Sequence, residues 1–234
     1  MYQFESRIRF SETDKDRKLR LDSIVNYFQD CSNMESESLG VGLDNLNARH
    51  NSWLMTFWQI VIDRYPVLDQ EVEVMTRAIR CEKIFGHRNF MIMDHGEPMV
   101  KANSIWVLTD MQTGRPVRVT PEEAALYGEA EPIEMDYAPR KIKVESPGEA
   151  GTAVIVQNYH LDIYHHMNNG QYVRLAMGCL PEYACVRELR VEYRNPATLG
   201  DVMIPVVHRE PGRIVVEWTD EEGKVYAVVA FYLE

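Results

Sequence analysis

One short stretch, LDIYHHMNN (residues 161–169), gathers a carboxylate, a phenol, imidazoles and two carboxamides. Asp162 and His166 stand four apart in what reads as a loop entering a helix, so both side chains can converge on one point. Either one acting as general base contributes about 10² to 10⁴ in rate. Backbone amides at the start of a helix beginning near Asn168 and Asn169 can hold a developing anion without help from any side chain. Tyr164, between the two, adds a hydroxyl. Together these make a minimal site of one base, one polariser and one helix end. A plainer reading stays open beside it, because an aspartate ahead of a helix commonly caps the turn or the helix. Two other chemistries are not expected. His160, His165 and His166 lack a third ligand type at a spacing that would close around a metal. Cys179 and Cys185 fall past the end of that helix, so no thiol sits in the motif to pair with a histidine. The stretch calls for water and acid–base chemistry, with no metal and no cofactor.

The chain that must hold this stretch has 234 residues, 45% of them hydrophobic and 26% charged. Such a composition supports one large core or two modest ones and excludes a disordered chain. No apolar run reaches the roughly 18 to 20 residues of a membrane helix. The start, MYQFESRIRF, alternates polar and apolar residues and does not read as a signal peptide. Cys31, Cys81, Cys179 and Cys185 show no CxxC spacing, so reduced thiols in a cytoplasmic protein are expected. A net charge of −11 makes nucleic acid and membrane surfaces poor partners. Basic residues still cluster locally, at Arg7, Arg9, Lys15, Arg17, Lys18 and Arg20 and again at Arg140, Lys141 and Lys143. An acidic partner could dock there.

The elements read as one pattern written twice. Tyr2, Phe4, Ile8 and Phe10 share a face at period two, the mark of a strand over residues 2–10. Asp22 or Ser23 can cap a helix carrying Ile24, Val25, Phe28 and Cys31, ended by Gly40. Strands follow over 52–64, 71–82, 85–94 and 99–110, with a short helix after Thr120-Pro121. Residues 128–150, rich in Gly, Pro and charge, cross to a second half: a strand over 152–159, a helix from about Asn168, and strands near 187–194, 202–209, 213–219 and 225–233. IDRYPVLDQEVEVMTRAIR (62–80) lies over VEYRNPATLGDVMIPVVHR (191–209) with one gap, which matches Arg64 and Pro66 to Arg194 and Pro196. The expected architecture is α+β: two tandem hotdog domains, each a long helix wrapped by an antiparallel sheet, joined into one continuous sheet. The boundaries are 1–128 for the first hotdog, 129–150 for a linker and 151–234 for the second.

Four colinear blocks carry a likeness to a known family: RKLRLDSIVNYFQDCSNMESESLG (17–40), SWLMTFWQIVIDRYPVLDQEVEV (52–74), VKANSIWVLTDMQTGRPVRVTPEE (100–123) and LDIYHHMNNGQYV (161–173). The chain resembles the acyl-acyl carrier protein thioesterases, two-hotdog enzymes that release free fatty acids. The resemblance implies hydrolysis of a fatty acyl thioester on acyl carrier protein, as a monomer or homodimer. In that family the second half holds an Asp-x-Asn-x-His-x-Asn-Asn stretch and a Glu on the next strand. Asp162, His166, Asn168 and Asn169 match it position by position. Tyr164 replaces the middle Asn, and Pro196 stands where the Glu falls. Those departures keep a second reading alive, an acyl-thioester binding protein of the same fold with little or no turnover. Trp53, Phe57, Trp58 and Trp106 read first as core. A hotdog pocket is the inner core between helix and sheet, so Trp53 and Trp58 are also candidates to line the acyl chain.

Overall fold

The computed structural model describes residues 1–234 and divides into two compact units, Met1–Thr56 with Ile62–Ala138, and Phe57–Val61 with Pro139–Glu234. The first unit holds β1 (Tyr2–Arg7), α1 (Leu21–Ser38), α2 (Leu43–Ala48), most of β2 (Asn51–Ile62), β3 (Glu71–Glu82), β4 (Phe85–Asp94), β5 (Glu97–Asp110), β6 (Arg115–Pro116) and α3 (Pro121–Tyr127). Its strands run antiparallel in the order β1-β3-β4-β5, with β6 hydrogen-bonded to β5. Helix α1 turns Leu21, Ile24, Val25, Phe28 and Cys31 inward, each at most 3% exposed. Burying each large apolar side chain contributes about 1.5–3 kcal/mol, which makes this face the main anchor of the helix. Arg20, rather than Asp22 or Ser23, precedes the helix. Asp22 lies in the first turn, where its carboxylate accepts from Arg20 Nε at 3.1 Å and offsets the positive helix end. The period-two run at the N-terminus stops at Arg7, and Phe10–Glu12 form a 3₁₀ turn instead.

The second unit holds β7 (Glu149–Ala150), β8 (Val154–Ile155), α4 (Asn169–Met177), β9 (Val186–Tyr193), β10 (Val202–Glu210), β11 (Arg213–Thr219) and β12 (Val225–Leu233). The β2 segment Phe57–Val61 pairs with β9, and the order continues β9-β12-β11-β10-β7, all antiparallel. Helix α4 has 9 residues, half the 18 of α1. Strand β12 is buried from Tyr226 to Phe231 on both of its faces. Part of the cover comes from Ile142, which packs on Val215, Val228 and Ala230. That accounts for an unbroken apolar run in an antiparallel strand.

One reading of the sequence changes here. A strand over 152–159 reduces to the two residues of β8, followed by a 3₁₀ turn at Asn158–His160. There the Gln157 amide donates to His160 Nδ1 at 3.0 Å, a local bond that draws the chain out of the ladder. Hydrogen bonds hold several points of the 129–150 crossing. In the first unit the Ile133 amide donates to Asn89 Oδ1 at 3.1 Å. In the second, the Glu145 amide donates to Glu210 Oε1 at 2.8 Å and His208 Nδ1 meets Ser146 O at 2.8 Å.

Candidate active site

Asp162, Tyr164, His166, Asn168 and Asn169 fall on one loop and helix start in the second unit. The loop closes on Asp162. Its Oδ1 accepts from the amides of Tyr164 at 2.9 Å and His166 at 3.2 Å. Its own amide donates to His166 O at 2.8 Å, and its carbonyl accepts from His165 at 3.1 Å. His165 turns the chain with φ +60°, in the left-handed region. Asn168 caps α4 through Oδ1, which accepts from the Gly170 amide at 2.8 Å, while its carbonyl accepts from Gln171 at 2.9 Å. Two amides at the helix start are thus bound within the cap. His160 is buried next to the loop, its carbonyl accepting from the Asn168 amide at 2.8 Å; burial, then Arg174, lowers its pKa.

The same loop occurs in the first unit. Asp14 Oδ1 accepts from Asp16 and Lys18 amides, both at 2.9 Å. Its amide donates to Lys18 O at 2.8 Å, its carbonyl accepts from Arg17 at 3.1 Å, and Arg17 has φ +62°. Asp162 therefore has a structural duty that a loop without histidine also requires, and the capping reading of this aspartate holds whatever else it does. Position by position, Tyr164 replaces Asp16, His166 replaces Lys18 and Asn168 replaces Arg20.

The hydrogen bonds also correct the register of the repeat. Pro66 O accepts from the Leu19 amide at 2.8 Å, and the matching carbonyl in the second unit is Ala197, which accepts from Met167 at 2.8 Å. The Asp63 and Arg64 amides donate to Met99 O at 3.0 and 3.1 Å, as Arg194 and Asn195 do to Tyr226 O at 2.8 and 3.1 Å. The counterpart of Pro196 is Tyr65, not Pro66. Likeness of side-chain type had pulled the alignment one residue off.

Trp58 belongs to the second unit, opposite Val191 on β9, and is fully buried. Trp53 lies in the first unit, where its indole Nε1 donates to Tyr127 Oη at 3.1 Å and its ring packs by the cluster of Leu46, Leu108 and Val119. Residues not singled out from the sequence complete the surroundings of α4. Tyr172 is buried, Tyr193 Oη donates to Asn169 O at 3.0 Å, and the Ala197 amide donates to Tyr172 Oη at 2.9 Å. The available signal was a tyrosine on the apolar face of a short helix, since a buried hydroxyl needs a partner.

Residues 1–127 match the family model of the acyl-ACP thioesterase N-terminal domain. An acyl-[acyl-carrier-protein] hydrolase from chloroplasts of Cuphea viscosissima is 26% identical over 223 residues, covering 88% of this chain and 54% of that protein. A palmitoyl-acyl carrier protein thioesterase of Arabidopsis thaliana is 25% identical over 217 residues, covering 84% of this chain and 52% of its own length. The chain thus spans about half the length of these relatives. Among solved structures, an acyl-ACP thioesterase from Bacteroides thetaiotaomicron superposes with a TM-score of 0.91 at 19% identity, covering 99% of this chain and 97% of the other. The 12:0-ACP thioesterase of Umbellularia californica gives 0.87 at 20% identity, over 100% and 96%. These superpositions show the double-hotdog fold. With more than half of its length matched by the family model, and a motif loop built on Asp162 in the half beyond it, the chain belongs to the acyl-ACP thioesterase family.

Proposed function

We propose that the chain hydrolyses the thioester of a fatty acyl-acyl carrier protein, giving free fatty acid and carrier thiol. The observation that carries this reading is the contrast between the two loops: one backbone design, with an imidazole, a phenol and a carboxamide introduced only at 166, 164 and 168. Water adds to the thioester carbonyl as His166, with Asp162, removes its proton. The tetrahedral oxyanion then collapses, the C–S bond breaks, and the pantetheine thiolate takes up a proton. Asn168 commits Oδ1 to the cap, which leaves its Nδ2 hydrogens as donors to the oxyanion. In family terms the acyl chain lies along the inner core, where Trp58 is a candidate neighbour in the second unit and Trp53 in the first.

The docking surface for an acidic carrier narrows. Arg7 pairs with Asp69 and Glu71, Arg9 with Glu12, Lys15 with Asp16 and Arg20 with Asp22, so most of the N-terminal basic cluster is neutralised within the chain. Lys141 and Lys143 stay exposed beside Arg140. They form the better landing site.

A second reading, an acyl-thioester binding protein with little turnover, is favoured by the commitment of Asp162 Oδ1 to two loop amides and by Tyr164 and Pro196. Release of free thiol from acyl-carrier protein and acyl-CoA over a series of chain lengths separates the two. His166→Ala is expected to cut turnover at least about a hundredfold, the low end for a lost general base. Wild-type turnover in that variant removes His166 from the mechanism; no thiol release by the wild type leaves only the binding reading.

A further inference from the structure

The two units differ at one matched pair of positions that neither loop chemistry nor core packing requires. In the first unit the residue whose carbonyl holds the loop is Pro66, which has no amide hydrogen, and the helix position that faces it by register is Ile24, fully buried. In the second unit the counterparts are Ala197 and Tyr172. The Ala197 amide donates to the Tyr172 hydroxyl at 2.9 Å, and the Ala197 carbonyl accepts from Met167 at 2.8 Å. A donor and an acceptor have appeared together, in the half that carries the motif. A buried amide without a partner is costly, so either change alone is disfavoured. Pro66 and Ile24 show that the fold does not need the bond.

Tyr172 is itself held from three sides. Its carbonyl accepts from Trp218 Nε1 on β11 at 3.2 Å. Its ring meets Tyr193 edge-on, with centroids 5.6 Å apart and planes at 74°. Tyr193 in turn donates to Asn169 O at 3.0 Å, at the first residue of α4. Burial raises the Tyr172 pKa far above the usual phenol range, so the hydroxyl stays protonated. A chain of contacts therefore runs from β11 through Tyr172 to Ala197, and from Ala197 to Met167 at the end of the motif loop.

We infer that Tyr172 is a positioning residue: its hydroxyl fixes the Ala197 peptide, which sets the height of the Asp162–His166 loop against the start of α4. The inference rests on the reading of that loop as the reacting site. It also gives the 195–197 turn a role, since Pro196 supplies no reactive group but its neighbour anchors the loop. A loop displaced by about 1 Å loses up to about a hundredfold in rate while substrate binding is little changed. Tyr172 touches no reacting atom, so its effect belongs in kcat.

Tyr172→Phe keeps the ring and removes the hydroxyl. The expected result is a fall in kcat of at least about tenfold with KM within about twofold. In the same variant, hydrogen exchange at the Ala197 amide, read by NMR on labelled protein, should speed up at least about tenfold. Exchange at Leu19, the loop amide of the first unit that matches Met167, should not change. Ala197→Pro removes the donor in the way the first unit already does, and Tyr172→Phe in that background should cost nothing further. An unchanged Ala197 exchange rate, or an equal cost with and without the proline, overturns the inference. If the wild-type chain hydrolyses no thioester, the functional reading fails, and the exchange ratio alone decides the role of Tyr172. Should Ala197→Pro not fold, the exchange measurement on Tyr172→Phe decides it in the same way.

Discussion

At the scale of single residues, the duplicated loop separates duties that one copy would leave mixed. Asp14 and Asp162 each gather two backbone amides, so the carboxylate oxygen that closes the loop is needed with or without chemistry. Asn at either position still offers a carbonyl oxygen to those amides. Asp162→Asn is therefore expected to stay folded, and its turnover reports the charge alone: a loss of at least about a hundredfold identifies Asp162 as a base, and near-normal turnover leaves it as a loop anchor. Asp14→Ala should lower Tm by about 2–4 °C through the lost loop bonds and leave turnover unchanged. Cys31 gives a different kind of test. It is fully buried on α1, its thiol donates to Val74 O at 3.6 Å, and burial raises its pKa to about 12. The folded state then keeps a proton that the unfolded chain releases above pH 9.0, so stability falls as pH rises from there toward 12. Cys31→Ala should flatten that alkaline decline in urea titrations. Native protein at pH 8 should leave Cys31 unalkylated in a peptide map.

At the scale of elements, α1 is tied to the sheet by charge as well as by its apolar face. Glu35, near its end, pairs with Arg88 on β4, and Arg88 also donates to Thr76 Oγ1 on β3 at 3.1 Å. Both charged side chains are under 10% exposed. Removing one partner strands the other, so Glu35→Ala should lose about 3–5 kcal/mol in urea unfolding. Glu35→Leu with Arg88→Leu should lose less, because no buried charge is left over. Elements of this kind were legible where the period was regular. The strands over 71–82, 85–94 and 213–219 stand where period and turn residues put them, and 225–233 where an unbroken apolar run does. The helix expected from about Asn168 begins at Asn169, with Asn168 as its cap. Residues 152–159 were misjudged because His160 satisfies a backbone amide that the ladder would otherwise use, and side-chain competition of that sort leaves no period. The Asp162–Asn169 segment was legible as a motif, since its residues are contiguous. The Tyr172–Ala197 bond was not. It joins positions 25 apart, and it needed the true register of a repeat whose prolines suggested a false one.

At the scale of the whole molecule, the net charge of −11 sets the terms for meeting any acidic carrier. With Arg7, Arg9 and Arg20 engaged by carboxylates of their own unit, the exposed Lys141 and Lys143 are the proposed source of that attraction. Lys141→Glu with Lys143→Glu should weaken carrier binding by about tenfold at low salt, and raising the ionic strength should shrink that difference because exposed charges are screened within about 10 Å at 0.1 M. Arg7→Ala should have a much smaller effect. Equal affinity of the double variant and the wild type at low salt removes this surface from the docking proposal.

The strand shared by the two units also has a consequence for biosynthesis. Phe57–Val61 belongs to the second unit and pairs with β9, and the bond from Gln59 Nε2 to Glu188 Oε1 spans 129 residues of chain. On a translating ribosome that interval lasts on the order of ten seconds. Throughout it the nascent chain carries an open strand edge bearing Phe57, Trp58 and Ile60, all fully buried in the finished protein. Such an edge is a template for pairing with other chains. The yield of this protein in a cell therefore depends on how fast residues 186–193 follow, and on what shelters the waiting strand until they do.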